Sequence, residues 1–362
     1  MRRIHIVTVS LLLLGLLPAA AATIVVDAGG GGDHATLAAA VAAASDGDLI
    51  QILPGRYATT VTIEKSLTIE GDGSADQVIL DGAGSRIMLL QGEHEVTLRN
   101  LRLEGGHGDS GGAIMSWQGM DLTVEDCHFV ENSADWGGGA IEARAQTSDL
   151  LVQNCLFENN YAGNHAGALA VMFGIDCDII DCTFLHNSAG AMAGAFTAND
   201  PGIVTIEGCV FGYNIGAEHG AIYIVESYFA SIRNCTIYGT VAGDHAAVLV
   251  HNSALYLEHN IIAHTTGGGG LEVYQSGGIA AQCNLFWDND GGDVVGGVLD
   301  PSDFHENPQL CSPSSGNFAP CDESFAVIGS GCGLIGALGP GCPCGVVRTE
   351  AVTWSAVKVL FE

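Results

Sequence analysis

Apolar residues alternate with polar ones in short bursts along most of this chain, and the bursts come in threes. DLTVEDCHFVENSADWGGGAIEA, DLLVQNCLFENNYAGNHAGALAV, CDIIDCTFLHNSAGAMAGAFTA, VTIEGCVFGYNIGAEHGAIYI and ASIRNCTIYGTVAGDHAAVLV align on one another. Each copy carries an L-x-V-type, a C-x-F-type and a G-A-I-x-A-type stretch separated by turn residues. Period-2 alternation predicts half-buried strands, and Gly, Asn and Asp between them predict turns. The cysteines fall at 127, 155, 182, 209, 235 and 283, with Asn260 filling the gap, so the step is 23–28 residues. Leu101 occupies the same slot one copy earlier. Glycines follow in phase at 112, 139, 167, 194, 220 and 270, with Ala246 between. Three short strands per step cannot bury an apolar side alone; stacked, they share one core. The pattern predicts a right-handed parallel β-helix, all-β, with rungs about 4.8 Å apart. A leucine-rich repeat has a similar period, but its leucine spacing is absent.

The two ends break the pattern. DHATLAAAVAAASDGD at 33–48 predicts a short amphipathic helix with Thr36 as N-cap and Gly47 at the stop, placed to cover the first rung. Cys311, Cys321, Cys332, Cys342 and Cys344 lie in a Pro/Gly/Ser-rich stretch that predicts a disulfide-stapled cap. Pairings 311–321 and 332–342 are preferred, leaving Cys344 over, although four cysteines allow three connectivities. The ladder cysteines, with Cys177, are expected to be small core side chains. In the last residues, Trp354, Val357 and Phe361 share a helical face. Four segments result: a signal peptide 1–22, a β-helix 23–300, a cysteine-rich cap 301–345 and a tail 346–362.

Two resemblances attach to these residues. TIVVDAGGGGDHATLAAAVAAASDGDLIQILPGRYATTVTIEKSLTIEGDG resembles the entry segment of pectin-lyase-like β-helix proteins. The GGAI and F-x-x-N repeats (Phe129/Asn132, Phe157/Asn160, Phe184/Asn187, Phe211/Asn214) resemble those of polymorphic outer-membrane proteins. The closing GLIGALGPGC is similar to the end of many bacterial secreted β-helix proteins. These resemblances imply a fold over roughly residues 23–300 and a bacterial exported protein, but motifs of this kind specify activity poorly.

Arg2 and Arg3, an apolar run from Ile6 to Leu17 and the small residues Ala19 to Ala22 predict a secretory signal peptide, with no transmembrane span after it. The expectation is secretion or display on the cell surface of a bacterium, as a monomer. A formal charge of −30 repels nucleic acid, and repels polyuronates unless a cation mediates.

GDSGG at 108–112 mimics a serine-protease signature. Its glycines are repeat glycines and no oriented base histidine accompanies Ser110, so a nucleophile is not expected. Lyases of the resembling fold use basic residues or Ca²⁺. Here Arg99 and Arg233 face glutamates on neighbouring rungs, which reads as ion-pair ladders. Arg144 lacks such partners and is the leftover catalytic candidate; none is assigned outright. His165, His219 and His245 recur at one turn, so His219 and His245 are metal-ligand candidates. Asp288, Asp290 and Asp293 are candidate Ca²⁺ ligands, although the EF-hand pattern is incomplete. No other cofactor is expected. The outward positions of the GGAI strands carry Trp117, Phe173 and Tyr223, an apolar strip suited to binding. The function expected is an exported scaffold that binds a polysaccharide or cell-surface component without catalysis. The alternative is a polysaccharide lyase or glycoside hydrolase.

Overall fold

The computed structural model describes residues 21–344, apart from 145–147, 298–299 and 330. Residues 1–20 of the expected signal peptide and the expected tail, with Trp354, Val357 and Phe361, lie outside the described residues. The chain coils through three long parallel sheets. Sheet A has 11 strands, from Thr23–Val26 to Gly278–Gln282; sheet B has 11, from Gly55–Ala58 to Phe304–His305; sheet C has 10, from Val61–Ile63 to Val294–Val295. A six-stranded sheet D, from His107–Ser110 to Val241–Ala242, lies on the path from B to C. Each strand pairs with its copy one turn away, as Phe129 does with Phe157 and Ile141 with Leu169. This is the right-handed parallel β-helix that the repeats predict. No helix among the described residues is long and apolar enough to cross a membrane.

Inside, every rung contributes the same side chains to the same columns. Phe129, Phe157, Phe184 and Phe211 stack with ring centroids 4.7–4.8 Å apart and planes within 6° of parallel. Asn132, Asn160, Asn187 and Asn214 are fully or almost fully buried. In the first three, Nδ2 and the backbone N–H donate to the next asparagine's Oδ1, as from Asn160 to Asn187 at 2.9 and 3.0 Å. Nδ2 also donates to the backbone of the preceding rung, so the turn loses no hydrogen bond on leaving water. Cys127, Cys155, Cys182, Cys209 and Cys235 fill their column as free, buried thiols, and Cys177 is buried beside them. Burial pushes the Cys127 thiol up to about 12, so it is inert as a nucleophile.

The helix α1, Leu37–Ala43, turns Leu37, Ala40 and Val41 into the core. Thr36 caps its first turn, accepting from the Ala39 amide. Lys65 Nζ donates to the orphan carbonyls of Val41 and Ala44 at 3.1 and 2.7 Å.

The cap departs from expectation. The bonds are Cys283–Cys332, Cys311–Cys342 and Cys321–Cys344, so neither the 311–321 nor the 332–342 pairing forms, and Cys344 is not left over. The cause is Cys283. It does not stand in the core column; Asn284 does, accepting from the Asn260 amide at 3.0 Å. Cys283 sits one residue earlier, at the left-handed turn position (φ 56°) that Asn234 and His259 occupy on preceding rungs. From there it reaches Cys332. The cap does not close the end of the coil but folds back along sheet B. Phe318 lies buried against Tyr213 and Tyr238, at centroid distances of 6.0 and 5.9 Å. Gly212 makes the room, since a Cβ there would come within 2.4 Å of the Phe318 ring.

Candidate functional site: two clefts on the outer face of sheet C

The outer surfaces of sheets A and B carry what solvated strands usually carry. On sheets A and B the arginines are locked to acids on nearby rungs: Arg99 to Glu125 and Arg233 to Glu207 at 2.6 Å one rung away, and Arg56 to Asp81 at 2.8 Å one rung away and to Glu104 at 2.6 Å two rungs away. The outer face of sheet C differs, because the connectors from sheet D fold over its middle. Ala170, Met172 and Thr197 point outward from their strands yet are buried, and the Ala166 amide donates to Thr197 Oγ1 at 3.3 Å. A covered centre leaves an open cleft on either side.

The first cleft, of about 330 Å³, is lined by Arg86, Gln91, Asp109, Ser110, Trp117 and Arg144, among others. Arg86 is fixed by the carbonyls of Ser110 (2.9 Å) and Gly111 (3.2 Å) and by the Asp109 carboxylate. Behind the cleft is Glu142, its side chain fully shielded from solvent. Arg144 Nε donates to Glu142 Oε1, while Oε2 has no hydrogen-bond partner among the described residues. Burial pushes the Glu142 carboxyl up, and Arg144 and the Ser110 side chain offset this only in part. Asp109 goes the other way. Against its own desolvation, the Ser110 amide and Arg86 hold its carboxyl below the usual range. Two neighbouring carboxyls are thus driven apart.

Arg144 therefore has a partner after all. The ladder alignment looks for charge on adjacent rungs, whereas Glu142 lies two residues back on the same strand. Glu142 is the residue the sequence reading missed; its only signal is a glutamate in a column whose neighbours are Met115 and Ala170. The GDSGG string resolves as expected in its glycines. Gly111 has φ 60°, and a Cβ on Gly112 would come within 2.3 Å of the Ser133 and Gly139 carbonyls of the next rung. Ser110 lies in the cleft wall beside Glu142.

The second cleft, of about 250 Å³, is lined by His219, Tyr223, His245, His251, Glu272 and Tyr274, with Leu249. The His219 ring is 4.3 Å from that of Tyr223 and 4.7 Å from that of His245. His245 Nδ1 lies 3.0 Å from Glu272 Oε2. Burial, and then the neighbouring His245, push His219 down to about 4. His165, at the same turn, is not part of this group; it packs edge-on to Trp136 and its Nδ1 lies 2.9 Å from Met192 Sδ.

The expected binding strip is therefore split. Trp117 belongs to the first cleft and Tyr223 to the second. Their strands are four rungs apart, about 19 Å at ordinary strand spacing. Phe173 is exposed, but in the turn after its strand, at φ 65°. The three aspartates of DNDGGD turn to separate partners: Asp288 to His264 (2.7 Å), Asp290 to the Gly267 amide (3.1 Å), and Asp293 to Asn289 (3.1 Å) and His305. Asp288 and Asp293 share a third cleft, of about 290 Å³, with Trp287 and His305; Asp290 does not line it.

A coil of parallel rungs with an asparagine turn ladder and a modified outer sheet face defines a β-helix scaffold. The chain belongs to the family described as the right handed beta helix region, which matches residues 68–217 and 164–300. It is 26% identical over 182 residues to metabotropic glutamate receptor-like protein R of Dictyostelium discoideum. That match covers 49% of this chain and only 11% of the relative's length. Among solved structures it is similar to the A-module of the mannuronan C-5 epimerase AlgE4 of Azotobacter vinelandii (14% identity, 75% of this chain and 94% of that one, TM-score 0.37). It is also similar to pectin methylesterase from carrot (15% identity, 76% and 88%, TM-score 0.31).

Proposed function

We propose that this chain is an exported scaffold that holds a neutral glycan in the first cleft. The observation that carries this reading is Trp117, 40% exposed at the end of its strand, beside Gln91, Arg86, Asp109 and Arg144. An aromatic face packs against the C–H face of a sugar ring, and fixed polar groups beside it order the hydroxyls. The chain's charge of −30 opposes a polyanion, which favours an uncharged ligand. Three disulfides fit an oxidising compartment outside the cytosol. A glycan array tests the reading. Retention on neutral glycans, lost on Trp117→Ala with Gln91→Ala, is expected; retention unchanged in that variant overturns it.

A second reading is favoured by the opposed carboxyls. Glu142, raised and buried, would donate a proton, and Asp109, lowered, would stay ionised; such a split pair is how one site runs acid and base chemistry at one pH. Turnover of a polysaccharide that Glu142→Gln abolishes, with binding retained, would replace the scaffold by a glycan-cleaving enzyme.

A further inference from the structure

We infer that the second cleft is a binding site for a divalent transition-metal ion, with His219 and His245 as ligands and Glu272 orienting His245. The two histidines stand at the same point of adjacent rungs, 26 residues apart, so the coil itself sets their separation. Their ring centroids lie 4.7 Å apart, with planes at 60°. Two imidazole nitrogens on a tetrahedral ion, each about 2.0–2.1 Å from it, lie about 3.3 Å from each other.

Three further observations point to an ion rather than to packing. His219 is only 7% exposed, yet its Nδ1 is buried without a hydrogen-bond partner among the described residues. A core histidine with no ligand to serve would be expected to satisfy that atom. Secondly, Glu272 sits on the Nδ1 side of His245, at 3.0 Å. That is the arrangement by which a carboxylate fixes the tautomer of a metal-binding imidazole and leaves Nε2 free to ligate. Thirdly, none of the residues lining the cleft is a lysine or arginine, and the chain's charge of −30 draws cations. Imidazole pairs suit Zn²⁺, Cu²⁺ or Ni²⁺ better than Ca²⁺ or Mg²⁺, which take oxygen ligands. The open side of the cleft leaves positions for water or for a ligand atom, as in metal sites that are not purely structural.

The nitrogens and the carboxylate do not yet converge. Among the described residues the one triad whose ligand atoms lie within 4.8 Å of each other is His259, Cys283 and Cys332, and there the two sulfurs are joined to each other. Closure on the ion is thus part of the inference.

The test is calorimetric titration of untagged, chelator-treated protein with Zn²⁺ and Co²⁺, with the Co²⁺ absorption spectrum as a second readout. One ion per chain is expected. His219→Gln and His245→Ala should each weaken binding at least 100-fold, and Glu272→Gln about 10–100-fold. His165→Ala should leave affinity unchanged. Circular dichroism of each variant separates loss of ligand from loss of fold. Absence of saturable one-to-one binding by the unaltered protein overturns the assignment. So does equal affinity in the folded His219→Gln and His245→Ala variants.

Discussion

The inside of the coil and the outer face of sheet C are built from the same rungs and obey opposite rules. Inside, phenylalanine follows phenylalanine and asparagine follows asparagine, each rung making with the next the contact it makes with the last. Outside, the corresponding column reads Leu89, Met115, Glu142, Ala170, Thr197, Tyr223, Leu249 and Glu272. Water-free, uniform surroundings reward a repeated side chain, because one good stacking geometry serves every rung. Where the surroundings change from rung to rung, nothing rewards repetition. Two polar groups are buried here all the same: Glu142 in the column itself, and His219 in the turn that leads into the Tyr223 strand.

The sharpest test of the contrast is all-or-none. No thiol of the native protein should react with a thiol reagent, and denatured, unreduced protein should expose six, from Cys127, Cys155, Cys177, Cys182, Cys209 and Cys235. A count of seven or eight would break the cap pairing. Next comes Phe157→Ala, which removes a ring stacked on both sides and should cost about 3–5 kcal/mol in denaturant unfolding. Trp117→Ala, on the outer face, should cost under about 1 kcal/mol; equal costs would erase the distinction between the two regions. Asn187→Ala orphans the Asn160 amide, which donates to Asn187 Oδ1, and should cost about 1–3 kcal/mol by the same measurement.

The smallest effects are pH slopes, and they oppose each other. His219 is depressed to about 4, so the unfolded chain takes up its proton first, and stability should fall as pH drops from 6.5 toward 4. His219→Gln should flatten that slope. Glu142 is raised, so the folded chain holds its proton longer, and its contribution is lost as pH rises above 4.5. The stability of the unaltered protein relative to Glu142→Gln should therefore decline above that pH. Slopes of the reverse sign would show that the two outward groups are not buried as described.

Most of the interior was legible in sequence because its physics is periodic. The Cys127–Cys235 column and the F-x-x-N ladder stand where the repeat puts them, and Thr36 caps its helix as the local signals predict. The errors fall where a rung changes length or a strand stops. The repeat places Cys283 in the core column, but the rung puts Asn284 there and frees the thiol for the cap. The alternation places Phe173 on its strand, but the strand ends at Met172 and the chain turns left-handed. Arg144 looks unpaired on an alignment of neighbouring rungs, because its partner Glu142 lies on its own strand. The connectors that cover Ala170 and Thr197, and so cut one strip into two clefts, leave no periodic mark at all.

The cap that lies along sheet B has a consequence for the order of events during synthesis. Its apolar residues rest on Tyr213, Tyr238, Ile261 and Leu285, from four successive rungs, and the Ala337 amide donates to Thr236 Oγ1 at 3.1 Å. That platform exists only once those rungs are coiled, and the cap leaves the ribosome after them. The cap thus works as an inspection step on the rungs made before it. It can dock, and Cys332 can find Cys283, only on a coil already wound in register, and a chain that has slipped a rung offers no matching seat.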